Sequence, residues 1–229
     1  MHKYTTVLLG FSLSLITHLT LAHNNPSQCF GSPASGRLKD GWQLPGAGKN
    51  FSAYSNAGVA LGRTYVHSAV YTVVLAAYKH LETSAAGKQF TYGETGLASG
   101  GKFAPHKTHQ NGLSVDFFVP VVNDQGKSIP FPASPLNKFG YNIEFNQQGR
   151  FDRLRIDFTA MALHLIALKK AADAEGIGIR VVIFDNQLQN LLFADDTGKK
   201  LPKLLPFSVK KPWVRHDEHY HIDFVIPCG

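Results

Sequence analysis

Cysteine is scarce, with Cys29 and Cys228 the only two in 229 residues. Two cysteines cannot build a disulfide-dense miniature fold or a four-cysteine zinc ribbon, so any bound metal must be held by histidine and carboxylate. Charged residues are also few, 17% against 44% apolar, a balance that suits a folded core and excludes a long disordered chain. Beyond residue 22 no stretch approaches the roughly 20 apolar residues a membrane helix needs. There is no Gly-x-Ser-x-Gly elbow for a serine nucleophile, no internal repeat, and no linker dividing the chain. The lysines are scattered or paired (169–170, 199–200, 210–211) rather than interleaved with aromatics, which argues against a nucleic-acid groove. What is present is a chain of single-domain size, basic at +7 with histidine neutral, carrying eleven histidines.

The first 22 residues read as an export signal. Lys3 is followed by a mostly apolar run from Thr5 to Ala22 that ends Thr20-Leu21-Ala22. A small residue at the end and an uncharged one two before it fit signal-peptidase cleavage after Ala22. Cys29 follows Pro26-Ser27-Gln28 rather than a lipobox, so a lipid anchor is not expected, nor is stable membrane insertion after cleavage. The mature domain is then 23–229, and loss of Lys3 leaves it at +6. A basic exported protein is drawn to polyanions such as cell-wall polymers. In that compartment disulfides persist, and a Cys29–Cys228 bridge between the ends of the mature chain is expected.

Gly, Ser, Pro and Asn enrich residues 23–63, which read as an irregular lead-in. Val66, Val70, Val73, Val74, Ala77 and Leu81 recur at three- and four-residue steps and predict a helix over 65–82. A short strand is expected over 89–92 and an alternating one over 113–122. Residues 154–175, with the stripe Ile156, Met161, Leu165, Leu168, Ala172 and Gly176 as stop, predict the strongest helix. A buried strand over 179–184, a short helix over 186–193, a loop over 195–212 and a last strand over 219–226 complete the pattern. Strands and helices do not alternate regularly. The expected fold is therefore α+β: one domain with a central, mainly antiparallel sheet flanked by helices.

Five of the histidines fall in two segments, His106 and His109 in one, His216, His219 and His221 in the other. In the last strand, side chains two apart share a face, so His219, His221 and Asp223 point one way and Tyr220, Ile222 and Phe224 the other. In the first segment Leu113, Val115 and Phe117 define a core face, which leaves Asp116 on the opposite one. Gly112 permits a turn tight enough to bring His109 back over Asp116. Two histidines and an aspartate from adjacent strands make a three-ligand zinc site on the sheet face, with a fourth position for water.

Ser99-Gly-Gly-Lys-Phe followed by His106-x-x-His109-Gln-x-Gly112-Leu-x-Val-Asp116, and then His216-Asp-Glu-His219-Tyr-His221, resembles the two motifs of the penicillin-insensitive murein endopeptidases. These are grouped with lysostaphin-type peptidases, D-Ala-D-Ala peptidases and hedgehog-type domains. Gly36-Arg-Leu and Arg63-Thr-Tyr resemble the family more loosely. The resemblance implies one zinc ion per chain held by His109, Asp116 and His221, with His219 as general base and His106 and His216 lining the site. Glu218 stands where the family usually has aspartate. It creates a Glu-x-x-His221 spacing like that of the dipeptidase branch, in which the glutamate is the base. Strand alternation puts His219, not residue 218, on the face of His221 and favours His219. Val66-His67 stands in place of the family's usual glycine–histidine pair, and His67 reads as a helix-surface residue rather than a site residue.

The implied function is periplasmic hydrolysis of peptidoglycan cross-links, D-Ala–diaminopimelate and to some extent diaminopimelate–diaminopimelate. Asp217 and Asp223 are candidates to orient imidazoles, and Trp213 to line a substrate groove. A carboxypeptidase or dipeptidase acting on stem peptides would use the same site. A non-catalytic zinc-stabilised wall-binding module, and more distantly a metal-dependent nuclease, are the other readings.

Overall fold

The computed structural model describes residues 25–210 and 214–229; the leader and Trp213 lie outside them. Its centre is a five-stranded sheet built from β1 (Phe51–Ala53), β2 (Phe90–Tyr92), β3 (Ser114–Phe118), β4 (Gly178–Ile183) and β5 (His219–Val225). The spatial order is β4-β5-β3-β2-β1. All neighbours are antiparallel except β1 and β2, which run parallel. The expected α+β domain with a mainly antiparallel sheet is what the chain forms.

Two helices, α1 (Ser68–Ser84) and α2 (Phe158–Ala174), cover one sheet face. The predicted stripes are what they bury: Val70, Val73, Val74, Ala77 and Leu81 from α1, and Met161, Leu165, Leu168 and Ala172 from α2, all fully out of water. Against them lie Val115 and Phe117 of β3 and Tyr220, Ile222 and Phe224 of β5. Each large side chain so buried contributes about 1.5–3 kcal/mol. The period-2 pattern therefore commits one face of β3 and β5 to the core and leaves Asp116, His219, His221 and Asp223 on the other.

Several boundaries differ from expectation. The strand predicted over 113–122 breaks at Pro120, which has no N–H to give a ladder. Val121–Val122 belong instead to a small four-stranded sheet with Ser128–Ile129, Arg150–Phe151 and Leu154–Ile156. The Pro120 carbonyl accepts the Asp157 N–H at 2.7 Å. Asp157 is also the N-cap of α2, its side chain accepting from the Ala160 N–H at 3.0 Å, so the helix starts after residues 154–156 have paired as a strand. His67 is not on a helix surface. It is a buried N-cap of α1 whose Nδ1 accepts the Ala69 N–H at 3.2 Å, a role Ser or Asp fills more often. The lead-in holds a hairpin, Gln28–Ser32 with Ser35–Lys39, as well as β1.

Cys29 and Cys228 form the expected disulfide. Beside it the Gly229 N–H donates to the Cys29 carbonyl at 3.0 Å and the Gly31 N–H to the Gly229 carbonyl at 3.2 Å. No helix among the described residues is long and apolar enough to cross a membrane.

Candidate active site

Register sets the site. β5 pairs with β3 so that His221 stands opposite Asp116 and Asp223 opposite Ser114. Loop 93–112 folds over this face. Gly112, at φ +76°, carries the turn, and His109 itself is left-handed at φ +70°, a conformation that costs a non-glycine residue on the order of 1 kcal/mol or more. Gly112 is also close-packed: a Cβ there would stand 2.7 Å from the His67 nitrogen.

Asp116 is the hub, and its two oxygens face different groups. Oδ1 lies 2.8 Å from His221 Nδ1 and 3.4 Å from His109 Nε2. Oδ2 accepts from the Tyr141 hydroxyl at 3.4 Å and lies 3.8 Å from His106 Nδ1 and 4.0 Å from His219 Nε2. Burial disfavours the Asp116 carboxylate, but the surrounding histidines, His109 and His219 foremost, hold it well below the ordinary range.

The far nitrogen of most of these rings is engaged, which fixes its orientation. His109 Nδ1–H donates to the Thr95 carbonyl at 3.1 Å. Its Nε2 is buried with no hydrogen-bond partner among the described residues, and burial lowers its pKa, so that nitrogen offers a lone pair. His221 Nε2 bonds Asp223 Oδ1 at 2.9 Å. Burial alone would lower His221, yet its hydrogen bonds to the Asp116 and Asp223 carboxylates raise it to about 10. Asp223 also receives the Ser114 hydroxyl and the Arg180 guanidinium.

His106 Nε2 is 2.5 Å from Glu94 Oε2. Glu94 is the centre of a second cluster, accepting from Tyr54 Oη at 2.9 Å and from Arg63 Nε, while Arg63 Nη2 donates to the Ala104 carbonyl at 2.9 Å. Burial would raise Glu94, but His106 and Arg63 bring it down to about 2. His219 Nδ1 bonds Glu218 Oε1 at 2.9 Å. Burial opposes protonation of His219, but Glu218 and Asp116 raise its pKa. His216 lies beside it, the two rings tilted by 36° with centres 4.5 Å apart. Its Nδ1–H donates to the Val214 carbonyl at 3.0 Å, and its pKa falls to about 4, chiefly through burial. Asp217 turns away from the histidines: it accepts the Phe145 N–H at 2.6 Å and pairs with Arg215.

All of the expected site residues, His106, His109, Asp116, His216, Glu218, His219 and His221, thus line one cleft of about 1030 Å³. Glu218 departs from strand alternation. It precedes β5, faces the cleft instead of the opposite layer, and keeps a buried Oε2 without a hydrogen-bond partner among the described residues. Donor atoms of His106, His109 and Asp116 lie within 4.8 Å of one another, a cluster able to hold a metal ion. Its nitrogen and carboxylate donors suit zinc. His106 therefore stands closer to a ligand position than expected, and His221 also touches the hub. Sequence reasoning missed Glu94 and Tyr141, which belong to neither histidine motif; only the position of Glu94 just after β2 hints at it.

Fold and site together define a single α+β domain with a buried histidine–carboxylate cluster opening into a cleft, as in metal-dependent hydrolases. The chain belongs to the penicillin-insensitive murein endopeptidases: the model of that family matches residues 29–229. Comparison with curated proteins gives no match.

Proposed function

We propose that the chain is an exported, zinc-dependent endopeptidase that hydrolyses peptide cross-links of peptidoglycan. The observation that carries this reading is the convergence of His109 Nε2 and His221 Nδ1 on one oxygen of Asp116, while His219 and His106 face the other. His109, Asp116 and His221 are the ligand set. His221 is preferred over His106 because its nitrogen lies nearer Asp116, 2.8 Å against 3.8 Å; each ring has a carboxylate behind it, Asp223 and Glu94 respectively. Family membership supports peptidoglycan as the substrate, and D-Ala–diaminopimelate is proposed as the principal bond. The leader over 1–22 supports export to the periplasm.

Zinc, when bound, supplies a water of lowered pKa and polarises the scissile carbonyl. His219 Nε2 takes the proton of the attacking water and returns it to the leaving amine. Glu218, bonded to His219 Nδ1, fixes the tautomer that leaves Nε2 free and stabilises the imidazolium. Glu218 is the supporting carboxylate rather than the base. His216, neutral and with Nδ1–H already given to Val214, can only accept at Nε2, so it steadies the base and is no oxyanion donor. His106, tied to Glu94, closes the cleft wall.

Digestion of purified sacculi with and without a zinc chelator, with fragments read by mass spectrometry, tests the reading. Conversion of cross-linked dimers to monomers is expected, lost with chelator and in His221→Ala, with D-Ala–diaminopimelate bonds cut first. Dimers left intact by protein holding a full equivalent of zinc would favour a stem-peptide trimming enzyme or a wall-binding module instead.

A further inference from the structure

Tyr141 lies in neither histidine motif, yet the chain accepts backbone strain to deliver it to the cleft. The loop before it holds two consecutive left-handed non-glycine residues, Lys138 at φ +50° and Phe139 at φ +57°, followed by Gly140 at φ +102°. Such residues are strained and persist only where surroundings enforce them. Here Asn137 enforces them: its Oδ1 accepts from the Ser134 and Gly140 N–H groups at 2.9 and 2.8 Å, and its Nδ2 donates to the Pro132 carbonyl at 2.8 Å. The Phe139 N–H donates to the Ser134 carbonyl at 2.7 Å. The Tyr141 ring then stands edge-on to His219 and His106, with centroids 5.3 and 6.0 Å away. Gly93 leaves room for the hydroxyl, since a Cβ there would come within 3.1 Å of both Tyr141 Oη and Asp116 Cβ.

The hydroxyl is held at the site without being consumed by a partner. It donates to Asp116 Oδ2 at 3.4 Å and receives the Glu94 N–H at 3.5 Å, both longer than a well-formed bond to a hydroxyl. Other donors near the hub are committed: Tyr54 to Glu94, Arg63 to Glu94 and Ala104, His106 Nε2 to Glu94, and His216 Nδ1 to Val214. Tyr141 faces the same oxygen of Asp116 as the base, His219.

We propose that Tyr141 is a catalytic residue of this hydrolase, its phenol donating a hydrogen bond to the scissile carbonyl oxygen as that oxygen gains negative charge. The inference rests on the function proposed above. The O–H proton stays on Tyr141 throughout, and no bond to it forms or breaks. Its contribution is a preorganised donor that strengthens in the transition state.

The test compares Tyr141→Phe with wild type, both zinc-loaded, on a purified cross-linked peptide dimer. Zinc content and binding of a phosphinate peptide, a tetrahedral mimic, are measured beside it. The variant is expected to lose about 10²–10³ in kcat with KM and zinc content unchanged. It should lose phosphinate affinity by a similar factor while binding the product peptide as well as wild type. Asn137→Ala, which frees the loop but keeps the phenol, should also lower kcat at constant zinc content. Wild-type turnover beside an equally active Tyr141→Phe overturns the role of Tyr141 alone. So does a variant that sheds zinc, because the phenol would then only brace Asp116. A wild-type protein that cleaves no dimer overturns the functional reading and this inference with it.

Discussion

Asp223 is two register positions along from the His221–Asp116 pair, and three hydrogen bonds converge on it, from Ser114, Arg180 and His221. It is almost wholly buried, yet its carboxyl is drawn down to about 2: burial works against the charge, and His221 is the first group to offset it. A buried carboxylate kept ionised behind an imidazole orients that ring and raises its basicity. Asp223→Asn keeps the shape and removes the charge. It is expected to weaken metal binding by about 10–100-fold and also to lower thermal stability, because buried His221 loses its carboxylate partner. Metal titration of the apo-protein at fixed pH checks this, and an affinity equal to wild type would sever His221 from the ligand set. The residues that carry this site were legible because the alternation of β5 puts His219, His221 and Asp223 on one face whatever the rest of the fold does. Glu94 and Tyr141 were not legible, since Glu94 meets His106, and Tyr141 meets Asp116, only through tertiary folding of loops with no period of their own.

At the scale of elements, the helix pair and the core face of the sheet meet around His164 of α2. Its Nδ1 bonds the Tyr220 hydroxyl on β5, and its ring stacks between Tyr78 of α1 and Phe90 of β2, centroids 5.2 Å from each. Burial drops its pKa to about 3. The folded state thus holds His164 neutral, while the unfolded chain protonates it near its ordinary pKa of about 6.5. Its contribution to stability is therefore complete above about pH 6.5 and is lost progressively as pH falls toward 3, on the order of 2–3 kcal/mol by pH 4.5. Denaturant unfolding at pH 7.5 and 4.5 should show wild type losing that much more than His164→Gln. Equal losses would mean that His164 does not couple the core to pH. The long helices were readable because their stripes run four or more turns, enough for a 3.6-residue period to declare itself. β1 has only three residues, too few for a period of two to be distinguished from loop, and the split at Pro120 depends on a small sheet formed by four segments of two or three residues each.

For the whole molecule, the disulfide joins residues 199 positions apart and ties two regions that position the site. Cys29 belongs to the hairpin Gln28–Ser32 with Ser35–Lys39. That hairpin grips the loop carrying His106 and His109: the Leu38 N–H donates to the Ser99 carbonyl and the Gln110 N–H to the Pro33 carbonyl, both at 2.9 Å. Cys228 follows β5, the strand that carries His219 and His221. The bridge therefore closes a ring running from the histidine loop through the hairpin to the histidine strand. In the chain-entropy picture, closing a loop of that length contributes about 5 kcal/mol, which for a domain of this size corresponds to roughly 10–20 °C in Tm. A Cys29→Ser/Cys228→Ser double variant is expected to melt lower by about that much. It should keep its metal and its hydrolytic rate at low temperature, because neither sulfur touches a site residue. As the temperature rises, the hairpin end should open first, and metal should be lost before the α1–α2 core melts. Thermal unfolding followed by circular dichroism, with metal release monitored in parallel, decides between a local staple and a global one. A variant with unchanged Tm would mean that the hairpin is held by its backbone bonds alone, and a single coincident transition that the loop and the core melt as one unit.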